Sequence, residues 1–152
     1  MAKRGCGVAC CPLSNFYFAS GLFDLSQKTT HCVNVGLGTD IAGGYSPSML
    51  SAQRTAVLTM KAKSHTGDVN SFDYQDAFHL ATVGGAKALN LFENVGNFEV
   101  SKRFDAVCWE VGCGGGGVDI FQEDSNHDIF QKIMTNAGKE DIARVFVNGK
   151  DV

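Results

Sequence analysis

One segment near the middle of the chain constrains the fold more than any other. Val33–Asp40 has the pattern of a buried strand that ends in a carboxylate, and Gly43 with Gly44 then makes a flexible turn. A helix is predicted to follow as far as about Lys63, with Ser46 as its N-cap and Pro47 at its first position. A strand, a glycine-rich loop and a capped helix form an α/β unit, whose functional groups lie on the loop after the strand.

Shorter patterns on both sides of this unit predict further elements. Cys6–Cys10 is short and apolar and predicts a buried strand, and Gly21–Lys28 predicts a short helix. Asp73 is a suitable cap for a later helix, which Gly84–Gly85 should end before Ala86–Leu91 adds one or two turns. The first part of the chain therefore alternates strands and helices.

The last third of the chain has a different pattern. Phe104–Val111 predicts a strand, and Asp128–Asn136 predicts a helix with Asp128 as its cap. Val145–Val152 predicts a hairpin that turns at Asn148–Gly149, because Asn-Gly is the strongest short turn signal. We therefore expect a small β-rich region at this end of the sequence.

Composition excludes several classes of partner. The chain has 152 residues and a formal net charge of −3, and its cationic side chains form no cluster larger than a pair. Nucleic acid is bound mainly through many cationic contacts, so we expect no nucleic-acid partner. No apolar run approaches the length of about 18 residues that spans a bilayer, so we expect no membrane partner and a cytoplasmic location.

The six cysteines have two possible interpretations. They form no Cys-x-x-Cys pair, and their spacing has no repeated framework. Buried, reduced thiols of a cytosolic protein are the favoured interpretation. The alternative is a structural zinc site made from Cys6, Cys10, Cys11 and a distant histidine. Cys10 and Cys11 fit such a site badly if both lie in a strand, because neighbouring side chains then point to opposite faces.

Asp40 is the strongest candidate for a catalytic or metal-binding residue. A carboxylate just after a buried strand can reach a pocket at the carboxyl end of that strand, where it could bind a metal or transfer a proton. The alternative is that its side chain caps the following turn by accepting neighbouring backbone N–H groups. Spacing alone leaves both possibilities open.

Five segments, in order along almost the whole chain, resemble segments of guanine deaminases in the amidohydrolase superfamily. They are Cys11–Asn15, Gly36–Leu50 (GLGTDIAGGYSPSML), His79–Leu89, Gly96–Val100 with Phe104–Val107, and Val145–Lys150. The resemblance implies an α/β (or α+β) chain that holds the last two strand–helix units of a (β/α)8 barrel and a small C-terminal β region, not a complete barrel. Residues 1–92 would be the partial barrel and residues 93–152 the β-rich region.

The resemblance also implies a chemistry. Complete members of the family bind one zinc ion and convert guanine and water to xanthine and ammonia. Asp40 matches the metal ligand and proton shuttle that follows the last barrel strand. Ser14 and Asn15 match a loop that shapes the barrel mouth, which gives them a weaker claim to a site role. No other substrate-binding residue is identified.

The chain departs from the family pattern at the site itself. The family motif His-Cys-Pro is Cys10-Cys11-Pro12 here, and no His-x-His pair or catalytic glutamate follows an earlier strand. The four histidines are expected on the surface or on helices. Zinc in a catalytic site needs about three protein ligands, and a complete barrel needs about 250 residues.

These departures predict how the chain behaves. We expect that it binds no zinc alone, is inactive alone, and begins inside the family pattern as a fragment or truncated product does. It would act on guanine only if another chain completed the site. The alternative is a non-catalytic remnant or self-associating structural fragment. Unpaired barrel strands also predict a homo-oligomer.

Overall fold

The computed structural model describes residues 2–26, 33–64, 72–112 and 116–152. The chain forms two compact units, Met1–Asn97 and Phe98–Val152. Both units contain helices and strands, which confirms the mixed α/β class. Within the described ranges the sheets have two and three strands, and neither closes into a barrel. The boundary expected between residues 92 and 93 marks the end of a barrel segment and stays a prediction.

The first unit begins with two parallel strands, each followed in the chain by a helix. These elements are β1 (Gly7–Cys10), α1 (Pro12–Tyr17), β2 (Asn34–Leu37) and α2 (Met49–Ser64). The strands pair with Val8 opposite Val35 and Cys10 opposite Leu37. Both predicted strands are therefore present, and their carboxyl ends lie at the same edge of the sheet.

A bent helical run completes the first unit. It consists of α3 (Tyr74–His79), a π-helical turn (Leu80–Gly84) and α4 (Gly85–Ala88). The predicted cap is confirmed, since the Asp73 carboxylate accepts the backbone N–H groups of Gln75 and Asp76.

The prediction that Gly84–Gly85 ends this helix is wrong, because the helical run continues to Ala88 and Gly84 instead serves its packing against β2. A Cβ atom on Gly84 would lie 2.4 Å from the carbonyl oxygen of Val35, and one on Gly36 would lie 2.6 Å from Cα of Gly85. The bare backbones therefore allow a very close approach of helix and strand.

Two other predicted helix positions need correction. α2 begins at Met49 and not at Pro47, and the Ser48 hydroxyl accepts the backbone N–H of Ser51 at 3.3 Å, which makes Ser48 the cap in place of Ser46. Residues 21–26 form no helix, and the rest of the helix predicted over 21–28 lies outside the described residues. In that segment the backbone N–H of Leu25 donates to the sulfur of Met60 at 3.3 Å, so the segment is held by a tertiary contact.

The core of the first unit lies between the sheet and the helices that follow it. Its members are the buried side chains of Cys10, Leu25, Val35, Leu37, Ala56, Met60, Phe72, Ala77 and Leu80. β2 is buried over Val35–Leu37, whereas in β1 only Cys10 is buried. The prediction of a buried first strand is therefore wrong for most of β1, which among the described residues has β2 as its one partner strand.

The second unit contains a three-stranded antiparallel sheet and one longer helix. They are β3 (Ala106–Trp109), α5 (Asn126–Asn136), β4 (Ile142–Val147) and β5 (Lys150–Asp151), with the strands in the order β3-β4-β5. The predicted hairpin is confirmed, with positive φ at both Asn148 and Gly149. The cap of α5 is Ser125 and not Asp128. The Ser125 hydroxyl accepts the backbone N–H of Asp128, whose carboxylate accepts the N–H of Ser125 in return.

The cysteines of the described residues are free thiols with different exposure. Cys10 is buried and Cys11 is partly buried, while Cys6 and Cys108 are exposed. The expected burial is therefore wrong for two of them, because Cys6 precedes β1 and Cys108 lies on an edge strand. Cys32 and Cys113 lie outside the described residues.

The length and composition of the helices bear on whether the chain could cross a membrane. In the ranges that the structure describes, none of them combines the length and the apolar composition that crossing a bilayer requires.

Candidate functional site

An open cleft of about 390 Å³ lies at the carboxyl ends of β1 and β2. This is the position where parallel α/β sheets place their functional groups. The residues that line the cleft are Val8, Ala9, Cys10, Cys11, Ser14, Asn15, Phe23 and Asp40.

Asp40 lies on the loop after β2 and its side chain is exposed at the cleft. Its backbone has φ of 50°, and its carbonyl oxygen accepts the N–H of Gly44 at 2.5 Å. The turn is thus closed by the backbone of Asp40. Among the described residues no hydrogen bond joins a backbone N–H to the Asp40 carboxylate, so a turn-capping side chain is not seen in this structure. The carboxylate is available for contacts in the cleft.

Helix α1 brings Ser14 and Asn15 to the same cleft. Pro12 occupies the first turn of this helix, where the missing N–H of proline is tolerated. Ser14 is buried and Asn15 is partly buried, and both line the cleft with Asp40. The three candidate residues found in the sequence therefore lie together, although a role for Ser14 or Asn15 stays a prediction.

Two thiols share the cleft with the carboxylate. Burial, with a smaller contribution from Cys11, raises the pKa of Cys10 to about 12. Burial also raises the pKa of Cys11, and the negative charge of Asp40 adds to that shift. Both thiols are therefore protonated at neutral pH. Contrary to the expectation for neighbours in a strand, Cys10 and Cys11 both border the cleft, because β1 ends at Cys10.

The described residues do not by themselves fit a catalytic zinc ion. Over the ranges that the structure covers, no three side chains of His, Cys, Asp or Glu are grouped to hold a metal. Zinc in a catalytic site needs about three protein ligands, and a thiol must lose its proton to become one. Asp40 is then the one carboxylate among the described residues that line the cleft.

None of the residues that are described as lining the cleft is a histidine. His79 on α3 and His127 on α5 are exposed, as expected for helix and surface positions, and neither lines the cleft. His31 and His65 lie outside the described residues.

Sequence reasoning did not identify Phe23 or Cys11 as neighbours of Asp40. Phe23 had been assigned to a predicted helix, and no local pattern indicates that it faces the cleft. One sequence signal for Cys11 was available. Cys11 comes directly after β1, and Asp40 comes a few residues after β2, so both lie beyond the carboxyl ends of parallel strands.

The comparison with known families agrees with this architecture. A model of the amidohydrolase family matches residues 1–152. The chain belongs to the amidohydrolase family.

Within that family the chain is similar to guanine deaminases, which confirms the resemblance found in the sequence. It is 38% identical to the guanine deaminase of Mus musculus, over 99% of this chain and 34% of the mouse protein. A solved structure of the E. coli guanine deaminase superposes with a TM-score of 0.83 at 33% identity, over 99% of this chain and 34% of that one.

The chain is also similar to a solved structure that contains zinc. An adenosine deaminase from Xanthomonas campestris with bound zinc has a TM-score of 0.78 at 31% identity, and the match covers 99% of this chain and 32% of that chain. The chain therefore spans about a third of the length of the relatives that it matches.

Proposed function

We propose that this chain is the C-terminal part of a guanine deaminase-like amidohydrolase, and that Asp40 is its contribution to the active site. The observation that carries the proposal is an Asp40 carboxylate without a backbone partner at the carboxyl ends of two parallel strands. Similarity to guanine deaminases over 99% of the chain supports it. In this proposal β1–α1 and β2–α2 are the last two strand–helix units of a (β/α)8 barrel.

The proposed reaction is the hydrolysis of guanine to xanthine and ammonia. A carboxylate such as Asp40 can accept a proton and return it during the reaction, which is the role that we assign to it. The other groups of the site, including those that would hold zinc, lie outside this sequence. The isolated chain is then without turnover, and it participates in catalysis only when those groups are supplied.

A chimera tests the proposal. The third of the E. coli guanine deaminase that matches this chain is replaced by the chain, and guanine-dependent ammonia release is measured. We expect turnover in the chimera and a loss of at least about 10²-fold in kcat with Asp40→Asn, because removal of an acid–base group costs on that order.

Asp119→Asn is the matched control for this experiment. Asp119 is an exposed aspartate that is not among the residues lining the cleft, so its substitution should leave kcat unchanged. Equal turnover of the Asp40→Asn and Asp119→Asn chimeras would contradict the assigned role of Asp40. A folded chimera that releases ammonia from adenosine and not from guanine would contradict the proposed substrate.

A second candidate is a non-catalytic chain that self-associates. It is favoured by the edge of β1, which has no partner strand among the described residues, and by the exposed aromatic side chains at the end of α1, namely Phe16, Tyr17 and Phe18. A folded chimera without any deaminase activity, together with a stable oligomer of the chain alone, would favour this candidate.

The cellular setting is also part of the proposal. It includes a cytoplasmic location and no membrane partner, and the net charge of −3 with no basic cluster in the sequence supports the absence of a nucleic-acid partner.

A further inference from the structure

The turn after Asp40 contains a contact that only glycine allows. A Cβ atom built on Gly43 would lie 2.6 Å from Oδ2 of Asp40 and 3.0 Å from its Cγ. Real Cβ atoms essentially never approach a neighbour within 3.0 Å. The Asp40 carboxylate therefore occupies the space in which every other amino acid at position 43 would have its side chain.

Gly43 does not need to be glycine for its own backbone conformation. It is not among the glycines with positive φ in the described residues. Alanine could therefore adopt the same backbone angles, and the obstacle to a side chain at this position is the contact with Asp40.

The adjacent Gly44 has a different constraint. A Cβ atom there would lie 2.2 Å from the backbone carbonyl oxygen of Thr39. The N–H of Gly44 also donates to the carbonyl oxygen of Asp40 and closes the turn. Gly44 therefore serves the path of the backbone, whereas Gly43 faces the carboxylate.

We propose that Gly43 is a positioning residue for Asp40, since its missing side chain leaves open the space in which the carboxylate lies when it folds back over the turn. The Asp40 side chain is short, and the described residues provide no backbone N–H that would hold the carboxylate in place. The space that Gly43 leaves open then decides whether the carboxylate can take this position. The consequence for catalysis rests on the proposed function of Asp40, but the geometric inference does not.

Gly43→Ala in the full chain tests the geometry. The measurement is the ¹³C NMR signal of the Asp40 carboxyl carbon at one fixed pH, identified by its absence in Asp40→Asn. We expect the signal to move in Gly43→Ala, because the new methyl group displaces the carboxylate. Gly85→Ala is the matched control, since its Cβ atom would lie 3.7 Å from the nearest neighbour, at an ordinary contact distance. An Asp40 signal that moves no more in Gly43→Ala than in Gly85→Ala would overturn the inference.

A double-mutant cycle keeps the inference testable if Gly43→Ala folds poorly. The thermal midpoints of Gly43→Ala, Asp40→Ala, the double variant and the parent chain are compared. If the carboxylate is the obstacle, Gly43→Ala lowers the midpoint less in the Asp40→Ala background than in the parent. Equal effects in both backgrounds would mean that the side chain of Asp40 does not press on position 43, and the inference would fall.

Kinetics of the chimera then separate this inference from the proposed function. A misplacement of about 1 Å in a reacting group costs on the order of 10²-fold in rate, so we expect Gly43→Ala to lower kcat by roughly that factor with a smaller change in KM. A chimera without guanine turnover would contradict the proposed function, while the NMR signal would still decide the role of Gly43. An active chimera whose kcat is unchanged by Gly43→Ala would overturn the positioning role.

Discussion

Cys10 connects the core of the first unit to the pH dependence of its stability. Its side chain is 4% exposed, and burial raises the pKa of the thiol from 9.0 to about 12. Between these values the unfolded chain has lost the thiol proton while the folded chain keeps it, so the free energy of unfolding falls as the pH rises. Below pH 9 the thiol is protonated in both states and has no such effect.

This difference predicts a change in the pH profile of Cys10→Ala. The variant should lose less stability than the parent chain when the pH is raised above about 9. The measurement is urea unfolding at a series of alkaline pH values, with the exposed Cys108→Ala as the control. Parallel losses for the parent chain and Cys10→Ala would contradict the prediction.

Asp141 is a buried carboxylate that the sequence pattern did not reveal. It is 1% exposed and accepts the backbone N–H groups of Gly117 at 3.0 Å and Gly138 at 2.8 Å. Local sequence does not predict this role, because Gly117 lies 24 residues away. Asp40, by contrast, could be identified from the sequence, because the strand, the carboxylate and the glycine turn follow one another directly in the chain.

Removal of the Asp141 carboxylate should destabilise the second unit. Asp141→Ala leaves two N–H groups without their acceptor, which costs about 1–3 kcal/mol. Urea unfolding followed by the fluorescence of Trp109, the one tryptophan of the chain and a residue of this unit, measures the effect. The exposed Asp119→Ala is the control, and equal midpoints for the two variants would show that Asp141 contributes nothing.

The helix N-caps show which sequence signals for a helix start can be located from neighbouring residues alone. Asp73 was identified correctly as a cap because it stands three residues before its reciprocal partner, Asp76. The caps of α2 and α5 were misplaced by two or three residues, since Ser46 and Asp128 each have a second candidate nearby in Ser48 and Ser125. The residue type is right for α2, where Ser48 takes the place of Ser46, but wrong for α5, where Ser125 and not an aspartate is the cap.

The close packing of β2 on the bent helix predicts a steric limit at Gly36. Gly36→Ala places a Cβ atom 2.6 Å from Cα of Gly85, so helix and strand must separate. Overpacking of this kind costs about 1–3 kcal/mol. Thermal unfolding by circular dichroism should give a lower midpoint for Gly36→Ala and little change for Gly85→Ala. If both alanine variants unfold at the same temperature as the parent, the approach of the two backbones is not tight.

The molecule as a whole has surfaces that a complete amidohydrolase would cover. The chain spans about a third of the length of its relatives. β1 is buried only at Cys10, and within the described residues each strand of the first sheet has one partner. Unpaired strand edges invite pairing with another chain.

We therefore propose that the isolated chain forms a homo-oligomer through these uncovered surfaces. Light scattering at micromolar concentration should give a mass above that of one chain. Phe18→Ser should weaken the association. Phe18 comes directly after α1, is 60% exposed, and follows the exposed side chains of Phe16 and Tyr17 in the chain. A stable monomer at that concentration would contradict the prediction.

The central proposal is that Asp40 belongs to an active site whose zinc-holding groups lie outside this sequence. Zinc content per chain, determined by mass spectrometry of the purified full chain after dialysis against excess zinc and then buffer, tests it most directly. We predict far less than one zinc per chain, with no difference between the parent chain and Asp40→Asn, because one carboxylate falls short of the roughly three ligands of a catalytic zinc. One tightly held zinc per chain that is lost in Asp40→Asn would contradict the account.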